Sequence, residues 1–127
     1  MPDAALAKKL QIRSGNRLLV LDAPQGYLDA LGVATGVEVA HRASGHFDVV
    51  QLVVKSKAEL ERRVPAALKA CKPDAIVWIC WPKGSKLATD LNRDTLFNEA
   101  QRFGLRGVSN VSIDETWSAL RFKRIET

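Results

Sequence analysis

Ala75-Ile-Val-Trp-Ile-Cys-Trp81, running into Pro82-Lys-Gly-Ser-Lys86 and then Thr89-Asp-Leu-Asn-Arg-Asp94, decides the fold. The first part is unbroken apolar and rich in β-branched and aromatic side chains. A strand covered on both faces reads this way, and such strands belong to parallel sheets whose crossover helices shield each side. The run is far short of the ~20 apolar residues needed to span a bilayer. Pro82 has no N–H to give to a ladder, so it ends the strand. Residues 83–86 then form a basic loop around Gly84. Thr89 or Asp90 can cap a following helix, which Gly104 closes. In open α/β sheets, ligands bind beyond the carboxyl ends of the strands. A helix N-terminus at that place offers free backbone N–H groups to an anion.

Upstream, Phe47-Asp-Val-Val-Gln-Leu-Val-Val54 reads as a second buried strand. Ser56 and Glu59 have capping-box spacing, in which each side chain bonds the other's backbone N–H. Leu60, Val64, Leu68 and Cys71 recur at helical spacing. Pro65 falls inside this segment and should bend or split it. Lys72-Pro73-Asp74 stops the helix. Nearer the N-terminus, residues 4–10 read as a short helical segment, 17–22 as the first strand, 27–31 as one or two helical turns and 37–41 as a short strand. Downstream, Leu96, Phe97, Ala100 and Phe103 form the apolar stripe of a helix over 89–103. Val108, Val111 and Ile113 mark a strand. Residues 117–123 return antiparallel through the tight turn at 114–116. The alternation predicts a single α/β domain, a three-layer Rossmann-like sandwich with right-handed crossovers. Its sheet is mostly parallel, with a C-terminal antiparallel hairpin.

A length of 127 residues suffices for one domain with its own core. The opening Met-Pro-Asp-Ala lacks a basic n-region and an apolar h-region, so no signal peptide is expected. Cys71 and Cys80 are not a C-x-x-C pair, which argues against metal or redox chemistry and for a reduced cytoplasmic setting. His41 and His46 lack partners at ligand spacing, so no metal site is expected. The net charge of +5 invites a nucleic-acid reading. The cations, however, are spread from Lys8 to Arg124, and no aromatic-basic motif interleaves them, so specific nucleic-acid binding is not expected. No nucleophile-elbow motif is present.

Phe47-Asp-Val-Val, a helix, Leu68-Lys-Ala-Cys-Lys-Pro-Asp-Ala-Ile-Val-Trp-Ile79, a second helix and a closing hairpin resemble the second half of class I S-adenosylmethionine-dependent methyltransferases. Pro73-Asp74-Ala75 stands where that family has Pro-Gly-Gly, and Val20-Leu-Asp22 resembles the start of its first strand. Pro82-Lys-Gly84, Ala88-Thr-Asp-Leu-Asn-Arg-Asp94 and Val111-Ser-Ile-Asp-Glu-Thr-Trp-Ser-Ala-Leu-Arg-Phe122 also resemble an uncharacterised family of short bacterial proteins with a domain of unknown function. The resemblance implies a truncated methyltransferase-like fold, with the last strand inserted beside the central one and one strand-helix unit missing. It carries the methyltransferase site over poorly. The glycine-rich turn after the first strand is Ala23-Pro24-Gln25-Gly26, and the second strand ends Ala40-His41-Arg42, with no acid for a ribose.

The residues nominated for a ligand are Lys83, Gly84, Ser85, Asp90, Asn92, Arg93 and Trp117. Asn92 and Arg93 could hold a carboxylate or phosphate near Lys83. The structural alternative is helix capping for Asp90 and Asp94 and core packing for Trp117. The expected function is a non-catalytic binding module for a small anionic ligand or a protein partner. An enzyme with a nucleotide-type cofactor and a homodimeric interaction module are the competing readings. No catalytic residue or cofactor is nominated.

Overall fold

The computed structural model describes residues 10, 12, 15–21, 38–42, 45–82, 92–113 and 117–124. Among these, the apolar runs form β1 (Arg17–Leu21), β2 (Glu38–Ala40), β3 (Phe47–Val53), β4 (Cys71–Pro82), β5 (Leu105–Ser112) and β6 (Trp117–Arg124). They make one sheet in the order β2-β1-β3-β4-β6-β5. β1 to β4 run parallel. β6 lies antiparallel between β4 and β5, as the expected hairpin required.

β4 is central, hydrogen-bonded to β3 on one side and β6 on the other. Trp78 is fully buried and Ile79 nearly so, which is why that run could afford no polar side chain. The strand starts earlier than the sequence suggests, at Cys71. Phe47 pairs with Cys71, but Val49 pairs with Ile76, so the ladder is irregular between them. Lys72-Pro73-Asp74 therefore stops the helix and enters the sheet at once.

Alternation along the strands separates two cores. Val50, Leu52, Val77, Ile79, Trp81, Leu120 and Phe122 point to one face. There they meet helix α1 (Lys57–Lys69) through Leu60, Val64 and Ala67, and helix α2 (Arg93–Gln101) through Leu96 and Ala100. Leu18, Val20, Val49, Val53, Trp78, Cys80, Trp117 and Ala119 point to the other face, under Leu10 and Ile12. Trp78 Nε1 donates to the Leu10 carbonyl at 2.9 Å. Two right-handed crossovers stepping in one direction place both helices on one face. The connection from β1 to β2 steps the other way and lies outside the described residues, as do the helical segment expected over 27–31 and all but Leu10 of the one expected over 4–10.

α1 keeps its expected cap with one change. Ser56 Oγ accepts from Glu59 N–H at 3.2 Å, but the Glu59 carboxylate accepts from Lys55 N–H rather than from Ser56. Pro65 does not split the helix, which runs unbroken through it. Its side chain is exposed, while Leu60, Val64 and Ala67 hold the buried stripe on both sides of it.

β2 pairs only with residues 17–19 of β1, at the amino-terminal part of that strand. That makes a very short return possible. Only residues 41–46 separate β2 from β3, where parallel crossovers usually take a dozen or more. Among the described residues β2 is the edge strand, and the six residues between β2 and β3 leave no room for a further strand-helix unit.

Candidate functional site

Because β1, β3 and β4 are parallel, their carboxyl ends emerge together at Leu21, Val53 and Pro82. Chain direction reverses its stepping between β1 and β3, since β2 lies to one side of β1 and β3 to the other. In doubly wound sheets this switch point is where ligands sit. α1 and α2 both begin at this rim. Ser56 caps α1, and Asn92 caps α2 by accepting from Thr95 N–H at 2.8 Å.

Of the nominated residues, Lys83, Gly84, Ser85 and Asp90 lie outside the described residues, as does Asp22. Asn92, Arg93 and Trp117 are described. The helix begins at Arg93 and not at Thr89, so its cap is Asn92 and not Thr89 or Asp90. Arg93 is 65% exposed and lies 3.5 Å from the Asp94 carboxylate. Trp117 pairs with Pro82 at the end of β4, and its side chain is part of the second core. Trp117 and α2 thus occupy opposite faces of the sheet.

Sequence reading passed over a group at the neighbouring corner. Val53, Lys55, Glu59, Arg62 and Arg63 line a cavity of about 220 Å³ where β3 leads into α1. Glu59, Arg62 and Arg63 fall on one side of the first turns of the helix, since residues three and four apart are neighbours there. The spacing of Lys55, Glu59 and Arg62-Arg63 after a buried strand was the available signal. Three cations and one carboxylate line it, and the Glu59 carboxylate accepts from the backbone N–H of Lys55 at 3.2 Å. The next acid of α1, Glu61, turns away to Arg102 Nη1 at 3.0 Å. Arg102 also meets Glu99 at 2.8 Å. These two hydrogen bonds, first Glu99 and then Glu61, raise the Arg102 pKa above its usual value.

An ion-pair cluster lies at the opposite end of the parallel strands. Asp48 accepts from Lys72 Nζ and from Arg17 N–H, both at 2.8 Å. Arg17 Nε pairs with Glu38 at 2.9 Å, and its guanidinium lies 4.7 Å from the centre of the Phe47 ring. The Lys72 hydrogen bond, then that from Arg17, holds the Asp48 carboxyl below its usual range. Among the described residues no group of three His, Cys, Asp or Glu side chains could hold a metal. No described helix is long and apolar enough to cross a membrane.

No family model and no curated protein matches the chain. Its fold is similar to several solved structures. A ribosomal protein L11 methylase from Lactobacillus delbrueckii subsp. bulgaricus superposes with a TM-score of 0.65 at 10% identity, over 96% of this chain and 76% of that one. A TehB-like SAM-dependent methyltransferase from Corynebacterium glutamicum gives 0.64 at 14% identity, over 98% and 88%. A SAM-dependent methyltransferase from Thiobacillus denitrificans, in complex with S-adenosyl-L-homocysteine, gives 0.61 at 14% identity, over 95% and 90%. Identities this low speak to the fold alone. The mixed sheet, its antiparallel last strands and the match over nearly the whole chain give the protein a class I methyltransferase-like, Rossmann-like fold in shortened form.

Proposed function

We propose that the protein is a binding module that takes a small anionic ligand at the carboxyl ends of its central strands. One observation supports this reading: basic side chains line a recess where β3 ends and α1 begins. At the carboxyl end of β3, Lys55, Glu59, Arg62 and Arg63 line a cavity of about 220 Å³. A cationic recess beside a sheet's switch point raises the local concentration of anions and holds them with charge-assisted hydrogen bonds. Cys71 and Cys80 are buried and form no disulfide, in keeping with a reduced cytoplasmic setting.

A second reading is binding of S-adenosylmethionine or a related nucleoside, favoured by the named ligands of the structural neighbours. Against it, β2 is followed by His41 and Arg42, both exposed, where a carboxylate would be needed for the ribose. Thermal-shift titration separates the two. Phosphate and small phosphorylated compounds should raise the melting temperature, and S-adenosylhomocysteine should not. A site occupied at a hundredfold excess over its Kd adds ~2.7 kcal/mol. A shift with S-adenosylhomocysteine alone would replace the first reading by the second. Light scattering on the same samples tests the homodimer.

A further inference from the structure

We infer that the free edge of β5, with Arg106, Arg121 and Lys123 beside it, docks an acidic, extended segment of a partner protein, which joins the sheet as a further strand. The surface is distinct from the recess at β3, so the two readings stand or fall separately.

Charge supports it first. Arg121 pairs with Trp78 of β4, whose side chain belongs to the second face. Directly opposite residues of an antiparallel pair share a face, as do residues two apart on one strand. Lys123 therefore shares the face of Arg121, and Arg106 joins them because it pairs with Lys123. Arg106 and Lys123 are exposed, and Arg121 is half-buried. Among the described residues, none of these three side chains makes an ion pair or a hydrogen bond. The Arg121 Nε is buried and has no hydrogen-bond partner there. Like charges set directly opposite each other on a sheet are destabilising. Carboxylates brought by a partner would neutralise them and favour its approach.

The edge supports it second. Among the described residues β5 pairs only with β6. An edge strand leaves outward N–H and C=O groups that another strand can take up. The sheet's other edge is blunted by its length, since β2 has 3 residues. β5 has 8, with Arg106 its only charge and no proline. Its ladder with β6 shifts register between Gly107 and Ser109, so the regular stretch begins at Ser109. Val108 stands at that shift, 40% exposed and the one exposed large hydrophobic among the described residues. An added strand gains main-chain bonds from Ser109 onward, an apolar contact at Val108 and ion pairs at the Arg106 end. A second copy of this chain fits less well, because β5 has no acid of its own to offer. A nucleic acid would meet the cations but leave the edge unused.

The test uses the full ¹⁵N-labelled chain titrated with a short peptide alternating glutamate and threonine. Its controls are the same peptide with glutamine for glutamate, the same peptide with N-methylated backbone, and a single-stranded oligonucleotide. The acidic peptide should perturb the amides of residues 105–112, and the controls should not. Arg106 and Lys123 are exposed, so Arg106→Gln and Lys123→Gln should stay folded. Each should weaken peptide binding roughly tenfold, the effect of one lost charge-assisted hydrogen bond. An unchanged Kd in both variants, or no perturbation of β5 by the acidic peptide, would overturn the inference. Equal binding of the N-methylated peptide would overturn strand addition. Perturbation of β5 by the oligonucleotide alone would replace the partner protein by a nucleic acid. Concentration-dependent shifts of β5 without any peptide would assign the edge to a second copy. Perturbation by the acidic peptide confined to residues 55–63 would return the anion to the recess and leave β5 without a role.

Discussion

Lys72 Nζ donates to Asp48 Oδ1 at 2.8 Å, tying the start of β4 to the start of β3. The other Asp48 oxygen accepts from the backbone N–H of Arg17, the first residue of β1. One carboxylate therefore fastens three adjacent parallel strands at their amino-terminal ends, far from the rim where the recess opens. Its folded-state pKa is lowered, first by Lys72 and then by Arg17. A lowered pKa means that the stabilisation is fully present above the unfolded value of about 3.9 and is lost as pH falls through the folded value. Asp48→Asn should cost about 1 kcal/mol at pH 7, discounted because Lys72 is 40% exposed. Urea unfolding at pH 7 and near pH 3 checks this: the gap between wild type and variant should narrow in acid.

The first core depends on a close approach at Gly107. A Cβ there would stand 2.6 Å from Cδ2 and 2.8 Å from Cε2 of the Phe97 ring, closer than real contacts allow. Gly107→Ala should therefore destabilise by ~1–3 kcal/mol, the usual cost of overpacking. Phe97→Leu in the same chain should recover part of that loss, because the clash and its relief share one contact. Denaturant midpoints of the two single variants and the double variant measure the coupling.

Trp78 is fully buried, and its indole N–H holds the Leu10 carbonyl at 2.9 Å. This is the bond that fastens residue 10 over the second face. Trp78→Phe removes the donor, orphans a buried carbonyl and leaves a small void. The loss should be ~1–3 kcal/mol for the carbonyl alone, with a cavity term added. Proteolysis of the native state should then cut the chain before residue 15 faster than in wild type, while β4 stays protected.

How far these features could be read in advance varies with their physical origin. The central strand was legible because burial on both faces forbids polar side chains, and Ala75–Trp81 has none. The antiparallel direction of β6 was legible because so short a turn after β5 permits no other return, whereas its insertion beside β4 followed only from the resemblance. The start of α2 was not, because Thr89, Asp90 and Asn92 are all good caps with nearly equal preference. Pro65 suggested a break, yet the apolar contacts of Leu60, Val64 and Ala67 outweigh one missing hydrogen bond. The recess was illegible for a different reason. In the sequence Lys55, Arg62 and Arg63 are three among many cations, and only the fold brings them with Glu59 to one recess.

Asn92 and Arg93 adjoin each other at the start of α2, yet they predict opposite behaviour. Asn92 accepts from Thr95 N–H at 2.8 Å, so its role is already accounted for by the helix. Asn92→Ala should cost about 1 kcal/mol, whereas Asn92→Ser and Asn92→Asp, which keep a capping oxygen, should cost far less. Arg93 is 65% exposed and paired only with its neighbour Asp94 at 3.5 Å, so Arg93→Ala should leave the denaturation midpoint within error. Binding then separates the roles. If phosphate sits in the recess at β3 and α1, neither variant changes its Kd once folding is complete. A weakened Kd in Arg93→Ala, with stability unchanged, would move the ligand from the β3 corner to the start of α2.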